Sequence, residues 1–511
     1  MASTSGNSNR PRENSRHVFA ALAFAAVLLF WHLGARGLNE PDEGRYASVA
    51  LRMLDSRDWL HPIFNGQPHL TKPPMTYWVM AANFRMFGAT EWAARLHAAL
   101  AAWGVLLLTA DLARRWFGSR AARDTVLILA TAPLFFVLAR LADPNMLMTF
   151  WVMLGFWSWA TWQETGSPWR LAVLYLALGL GFFTKGPVAT ILTLFGIASF
   201  RWKGGPAFTS RRAWSWLGLL AASAIGLWWF VWEVSNEPAL ARYYLGHELV
   251  ARLASRTLHR NEPAWFSAAA LLAGFLPWLP LLYRGFRRTS WRDRADPMAP
   301  LLMWVGLGLL LFTLSRSKLA TYVLPLIPPL ALAASAAIHR QSAATVSPRV
   351  VPVSAIALGL LLLAMHDVAY PHLLREHERL SAAALLAEVR AAGYRDGHIF
   401  FSHAPAATYF YLRPAGDPQW IGELPGTHDL PKEDRISAAF NSFLERAQPN
   451  DLLLLSSEVY DRVTDREPME SRTSIQARNQ KYTALQLAAP RAADQADDTS
   501  NSRARSSARS M

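Results

Sequence analysis

The chain has 511 residues, of which 52% are hydrophobic and only 17% charged, against about 25% charged in an ordinary soluble chain. With 22 Trp, 26 Phe, 13 Tyr and no Cys, the composition excludes disorder as the main state, a collagen-like chain, a disulfide scaffold and a thiolate metal site. Lys and Arg total 51 and Asp and Glu 37, a net charge of +14; a soluble chain of this charge would raise nucleic acid as a partner, but here the basic residues lie at the ends and between long apolar runs, which is membrane topology instead.

Residues 1–16 are polar and rich in Ser, Asn and Arg, and read as a disordered cytoplasmic N-terminus. The run from Val18 to Leu33 is the first apolar segment. A signal peptide is the rival reading, but Trp31 and His32 are poor cleavage-site residues, so the segment reads as an uncleaved anchor. Further spans are predicted near 93–113, 122–139, 146–163, 170–184, 187–201, 213–233, 265–283, 298–314, 319–338 and 350–367, about eleven in all at ~20 residues each. The run 74–88 is apolar but short, and it carries Asn83 and Arg85.

Charge bias decides how that run is placed, because Lys and Arg collect in cytoplasmic loops. With 74–88 lying in the interface and the N-terminus inside, the inner loops hold Arg114, Arg115, Arg120 and Arg123, then Arg170, then Arg201, Lys203, Arg211 and Arg212. Arg284, Arg287, Arg288, Arg292 and Arg294 follow, then Arg340 and Arg349. Counting 74–88 as a span would put these clusters outside. The outer face then receives Leu38 to Trp92, Arg140 to Asn145, Lys185, Asn236 to Pro263 and Ser315 to Lys318. After the spans, 371–488 reads as a small α/β periplasmic domain: a helix over Ser381 to Ala392, short buried strands over His398 to Ser402 and Asp451 to Ser456. Residues 489–511 read as a disordered tail. The predicted fold is mainly α: a polytopic membrane helical bundle over 17–370, with an outer loop at 35–92 and the small α/β domain behind it.

The chemistry-bearing residues gather on that outer face. Pro41-Asp42-Glu43-Gly44-Arg45-Tyr46 brings two carboxylates next to the bilayer; they serve either as a base or electrostatic partner or as the acidic first turn of a helix over 44–55. Thr71-Lys72-Pro73-Pro74 holds a cation before a helix-stopping pair of prolines. Lys suits phosphate as a point charge, and interfacial snorkelling is the plain alternative. Arg140-Leu141-Ala142-Asp143-Pro144 sits in a short turn, where ionisable groups are functional candidates or simply an Arg140–Asp143 ion pair. Lys185-Gly186-Pro187 and Ser315-Arg316-Ser317-Lys318 add cations. His247-Glu248 lies on the long outer loop, with His247 a weak candidate metal ligand. No HExxH, Walker, Rossmann or GxSxG pattern is present.

Carboxylates with cations on one face of a membrane scaffold, in a compartment without nucleotides, point to group transfer from a lipid-linked phosphate. A polytopic transporter or lipid flippase is the alternative, since intramembrane charges also line substrate paths, though no inverted repeat or paired broken helices are visible. A structural envelope protein is the third reading.

The segment PDEGRYASVALRMLDSRDWLHPIFNGQPHLTKPPMTYWVMAANFRMFGATEWAARL resembles the first outer loop of bacterial glycosyltransferases that use polyprenyl-phosphate sugars: the aminoarabinose transferases of lipid A and their protein O-mannosyltransferase-like relatives. RLADPNMLMTFW, GFFTKGPVA, FLPWLP and SKLATYVLPLIPPLAL match in the same order, over roughly 18–340. The resemblance implies a GT-C-type bundle and a transfer from undecaprenyl-phosphate sugar to lipid A, another envelope glycan or a protein; direct displacement would invert the anomeric centre. It implies that Asp42 is the catalytic carboxylate, with Glu43 beside it, and that Asp143 is a second acidic position. Lys72 is then a donor-phosphate ligand, with Lys185, Arg45, Tyr46 and Lys318 as further substrate-binding candidates. The family's Glu before that Lys helps hold a divalent metal, and here Thr71 stands in its place. No cofactor is firmly implied; the expected partners are the lipid-linked donor, the acceptor and membrane lipid.

Overall fold

The computed structural model describes residues 10–204, 215–242, 244, 262–293, 296–339, 347–369, 382–402, 404–421, 441, 443–448, 450–464 and 473–487. Two compact units emerge. The first comprises 1–36, 53–62 and 69–373; the second comprises 37–52, 63–68 and 374–511.

The first unit is helical. Its helices are α1 (Arg10–Phe30), the end of α2 (Asp42–Ser56), α3 (Met75–Phe87), α4 (Glu91–Phe117), α5 (Ser119–Ala130), α6 (Pro133–Leu138), α7 (Pro144–Thr165), α8 (Pro168–Lys185), α9 (Pro187–Lys203) and α10 (Trp216–Asn236). After a short turn (α11, Ala239–Arg242) come α12 (Phe266–Phe275), α13 (Leu279–Arg287), α14 (Met298–Leu314), α15 (Ile327–His339) and α16 (Val350–Ala364). Among the described residues five helical stretches are long and apolar enough to cross a membrane, Glu91–Phe117, Trp216–Asn236, Phe266–Arg287, Ala320–His339 and Val350–Ala369.

Prolines punctuate this unit. They open α6, α7, α8 and α9, where a missing N–H leaves no bond unmade. They also break three predicted spans. The run 122–139 stops at Ala130 and restarts at Pro133. The run 265–283 passes through a 3₁₀ turn at Leu276–Trp278 with Pro277 in it, and 319–338 begins as a 3₁₀ stretch, Ala320–Leu326, that contains Pro325. In each case the pyrrolidine ring removes a donor and clashes with the preceding turn. Helix α3 has 13 residues, about 20 Å of helix at 1.5 Å per residue, short of the ~30 Å of a hydrocarbon core; this length fits a helix lying in the interface.

The core of the unit is aromatic. The Phe156 ring packs at a tilt against Trp304, with centroids 4.4 Å apart, and against Phe200 at 5.2 Å, and the buried Trp304 indole donates to the Leu192 carbonyl at 2.8 Å. Its outer surface is apolar as well: Trp216, Leu217 and Leu220 are 67–76% exposed, a face that needs lipid or protein against it.

The second unit carries an antiparallel pair, β1 (Ile63–Phe64) with β2 (Gln67–Pro68), and a five-stranded sheet in the order β4-β3-β5-β7-β6, with β3 at Ile399–Phe401, β4 at Gln419–Trp420, β5 at Leu452–Ser456, β6 at Thr473–Arg478 and β7 at Tyr482–Leu487. Strand β3 runs parallel to both β4 and β5, and β7 is antiparallel to β5 and β6. Leu452 and Leu454 face one cluster with Ile399, Leu385 and Leu386, while Leu453 and Leu455 face another with Phe400 and Phe443. A strand covered on both faces needs no polar alternation, which is why residues 452–455 are all Leu. Helix α17 (Ala383–Ala391) packs on the first face. Strands β6 and β7 lie outside the two strands expected over His398 to Ser402 and Asp451 to Ser456.

A candidate donor site and a carboxylate-bearing helix

Three turns of the first unit meet at one cavity of about 500 Å³. Thr71, Lys72 and Pro73 come from the segment before α3, Lys185, Gly186 and Pro187 from the α8–α9 turn, and Ser315 and Ser317 from the turn after α14. The remaining wall is largely apolar, including Phe182, Ile191, Leu227, Phe230 and Phe312. These are the turns that the charge pattern assigns to the outer face.

Local sequence explains how the cations are held. Lys185 is the last residue of α8, where a cation complements the helix dipole. Gly186 leaves the helix at φ +74° and ψ −158°, a conformation that a side chain would strain, and Pro187 starts α9. The Lys185 ammonium donates to Asn145 Oδ1 and lies 4.7 Å from the centre of the Tyr322 ring, another cavity residue. On the opposite segment the Lys72 ammonium donates to the Thr71 carbonyl at 3.0 Å; Pro73 and Pro74 behind it are buried, so the backbone under that lysine is rigid.

Asp143 stands next to this site. It is the N-cap of α7 and 7% exposed. Its carboxylate accepts the Asn145 backbone N–H at 2.7 Å and the Asn145 side-chain amide at 2.6 Å, so Asp143, Asn145 and Lys185 form one chain of hydrogen bonds. An Arg140–Asp143 ion pair, one of the two readings of this turn, is not what forms. The buried Arg140 guanidinium instead donates to the carbonyls of Leu28 (2.7 Å), Leu29 (3.3 Å) and Trp31. It thereby covers the unpaired carbonyls at the end of α1, and burial beside Arg36 and Arg95 lowers its pKa to about 10. Arg36 and Arg95 donate in turn to the carbonyls of Arg140, Leu33 and Arg36.

Lys318 is buried, and it is Ser315 and Ser317 of its turn that line the cavity. His247 and Glu248 lie outside the described residues. Among the described residues no three His, Asp or Glu side chains come together as a metal site. The Thr71 hydroxyl lies 3.2 Å from a His69 ring nitrogen.

The other candidates fall in the second unit. Asp42 opens α2 with its side chain about half exposed and pairs with Arg45 one turn on. The Arg45 guanidinium lies 5.7 Å from the ring centre of the buried Tyr46, a cation–π arrangement. Glu43 is 2% exposed and accepts the Asn39 backbone N–H at 3.0 Å, a reach back to the helix start of the capping-box kind. The acidic first turn is thus both a helix start and the holder of one accessible carboxylate.

Asn145 and Tyr322 carry no charge, so the charge pattern does not single them out; Asn145 is marked in the sequence only by its place in the first turn after an Asp-Pro helix start.

Residues 71–232 match the family described as dolichyl-phosphate-mannose-protein mannosyltransferase. Over 320 residues the chain is 35% identical to the undecaprenyl phosphate-alpha-4-amino-4-deoxy-L-arabinose arabinosyl transferase of Edwardsiella ictaluri, covering 60% of this chain and 57% of that protein. Over 366 residues it is 32% identical to the enzyme of the same name from Pseudomonas aeruginosa, covering 70% and 66%. The chain thus spans 57–66% of the length of these relatives. Its fold is that of ArnT from Cupriavidus metallidurans, solved with undecaprenyl phosphate bound: the TM-score is 0.72 at 22% identity, over 93% of this chain and 100% of that one. The archaeal oligosaccharyltransferase AglB from Archaeoglobus fulgidus superposes more loosely, with a TM-score of 0.50 at 12% identity. The chain is similar in sequence to these aminoarabinose transferases over part of their length and shares the fold of ArnT.

Proposed function

We propose that this chain is a multi-pass inner-membrane glycosyltransferase. It moves a sugar from an undecaprenyl-phosphate-linked donor to an envelope acceptor on the periplasmic face, with inversion at the anomeric carbon. Lipid A, another envelope glycan and a protein hydroxyl are the acceptor classes. The observation that carries this reading is the pairing of Lys72 and Lys185 with a largely apolar cavity of about 500 Å³. Such a cavity suits an amphiphile whose polar end is an anion: the prenyl chain lies against Phe182, Ile191 and Phe230, and the phosphate faces the ammonium groups.

In the reaction the bond between the sugar's anomeric carbon and the lipid-phosphate oxygen breaks as the acceptor oxygen bonds to that carbon from the opposite side. Negative charge grows on the departing undecaprenyl phosphate, and preplaced cations stabilise growing charge best; this is the role of Lys72 and Lys185. The acceptor's proton passes to the Asp42 carboxylate as general base. Asp143 supports the site through Asn145, which accepts from the Lys185 ammonium.

The test is transfer by the purified full-length protein from undecaprenyl-phosphate-linked 4-amino-4-deoxy-L-arabinose to lipid A, read by mass spectrometry. Lys72→Ala and Lys185→Ala each lower the rate roughly 100-fold, the scale seen when one charge-stabilising donor is removed. A wild-type chain that moves the lipid across vesicles and makes no covalent product sinks the reading in favour of a flippase.

A further inference from the structure

Glu40, Gly44, Ser48 and Arg52 recur at four-residue spacing. On a helix that spacing forms a single stripe, and here every member of it meets the segment 405–417 of the same compact unit. The Glu40 carboxylate, just ahead of α2, accepts the backbone N–H groups of Ala406 at 2.6 Å and Ala407 at 2.9 Å. A Cβ on Gly44 would lie 2.7 Å from the Ala407 nitrogen and 2.9 Å from the Ala407 Cβ, so this approach is open to glycine alone. Ser48 Oγ donates to the Ala406 carbonyl at 2.8 Å and accepts the Phe410 N–H at 3.2 Å. Arg52 closes the stripe with a two-pronged pair to Asp417, whose second prong measures 2.8 Å.

The gripping loop follows β3, a strand parallel to both its neighbours, which lie on opposite sides of it. The ends of such strands are where open α/β sheets take up ligands. Here the occupant is the chain's own Glu40 carboxylate. Asp42 stands two residues before Gly44, about 200° around a helix of 3.6 residues per turn, and so points away from the stripe with its carboxylate half exposed.

We propose that Glu40, Gly44, Ser48 and Arg52, with Asp417, are positioning residues: the α/β unit grips α2 by this stripe and sets where the Asp42 carboxylate stands during sugar transfer. The proposal rests on Asp42 being the catalytic carboxylate. It gives the α/β unit a part in the reaction without a reacting group of its own.

The experiment uses the full-length protein in detergent, with undecaprenyl-phosphate-linked 4-amino-4-deoxy-L-arabinose as donor and lipid A as acceptor. Kinetics are measured for Ser48→Ala, Arg52→Ala, Asp417→Ala, the exchanged pair Arg52→Asp with Asp417→Arg, and Asp42→Asn. A displaced base lowers kcat, since misplacement near 1 Å costs about 100-fold, and it leaves the donor KM within about twofold because the donor's phosphate contacts are intact. The single variants therefore show kcat down roughly 10- to 100-fold at constant KM, and the exchanged pair recovers most of it. Ser48→Ala loses one hydroxyl and decides the matter should the charge variants fail to fold. Full kcat in Ser48→Ala and Arg52→Ala beside an inactive Asp42→Asn overturns the positioning role and leaves Asp42 catalytic. Full transfer by Asp42→Asn overturns both.

Discussion

The lysine turns of the first unit and the carboxylate helix of the second hold their charges in opposite ways. The backbones under Lys72 and Lys185 are fixed by their immediate neighbours: two buried prolines behind one, a glycine at positive φ and a helix-opening proline behind the other. Asp42 is fixed from a distance, through a stripe on its helix that meets residues more than 350 positions further along the chain. The lesson is that local turn chemistry can fix the backbone under a cation, whereas the helix that carries Asp42 is braced by segments far along the chain. A turn can be damaged by one local substitution; a braced helix can be damaged from either side of its contact.

The contrast can be broken or sharpened at three places. The largest expected effect is chemical: Asp42→Asn keeps the size of the side chain, removes the base, and lowers kcat by roughly 10²- to 10⁴-fold, the usual share of general base catalysis, with the donor KM unchanged in steady-state assays. Next comes the local turn. Gly186→Ala puts a Cβ into a backbone region that costs on the order of 1–3 kcal/mol for non-glycine residues; a thermal melt of the detergent-solubilised protein shows a lower midpoint, and donor binding weakens because Lys185 shifts with its turn. An unchanged melt and unchanged KM would mean that α8 and α9 absorb the strain.

The smallest effect is a pH dependence confined to the braced helix. Burial raises the Glu40 pKa above its ordinary value of 4.5, opposed by the Ala407 and Ala406 amides and by Lys481 and Arg45. For an acid whose pKa is higher in the folded protein, the folded state binds more protons between the two values. Stability therefore falls as pH rises from about 4.5 through the raised value, and is flat above it. Melting midpoints of the wild type decline across that window, while Glu40→Gln, which does not titrate, shows no such decline.

Much of the bundle is legible in the chain because a span is announced by its own composition. About 20 apolar residues bounded by arginines identify α4, α10 and α16 without any partner. The breaks at Pro133, Pro277 and Pro325 were present in the sequence too, but a hydropathy window averages over them. The strand of β5 was readable for a related reason: four consecutive leucines can be satisfied only between two apolar layers. Strands β6 and β7 were not, since Thr473–Arg478 and Tyr482–Leu487 mix polar and apolar residues around a bulge at Ile475 and Ala477.

At the candidate site the charged groups could be named in advance, because ionisable residues near a membrane are few and expensive to bury. Their partners could not. That Arg140 caps α1 instead of pairing with Asp143, that Asn145 joins Asp143 to Lys185, and that Glu40 enters the α/β unit are facts of chain segments meeting across 40 to 366 residues. Hydropathy and turn preference are properties of neighbours along the chain, so they reach the reader directly. Hydrogen-bond pairing and close packing depend on which distant surfaces come to face one another, and a one-dimensional pattern does not record that.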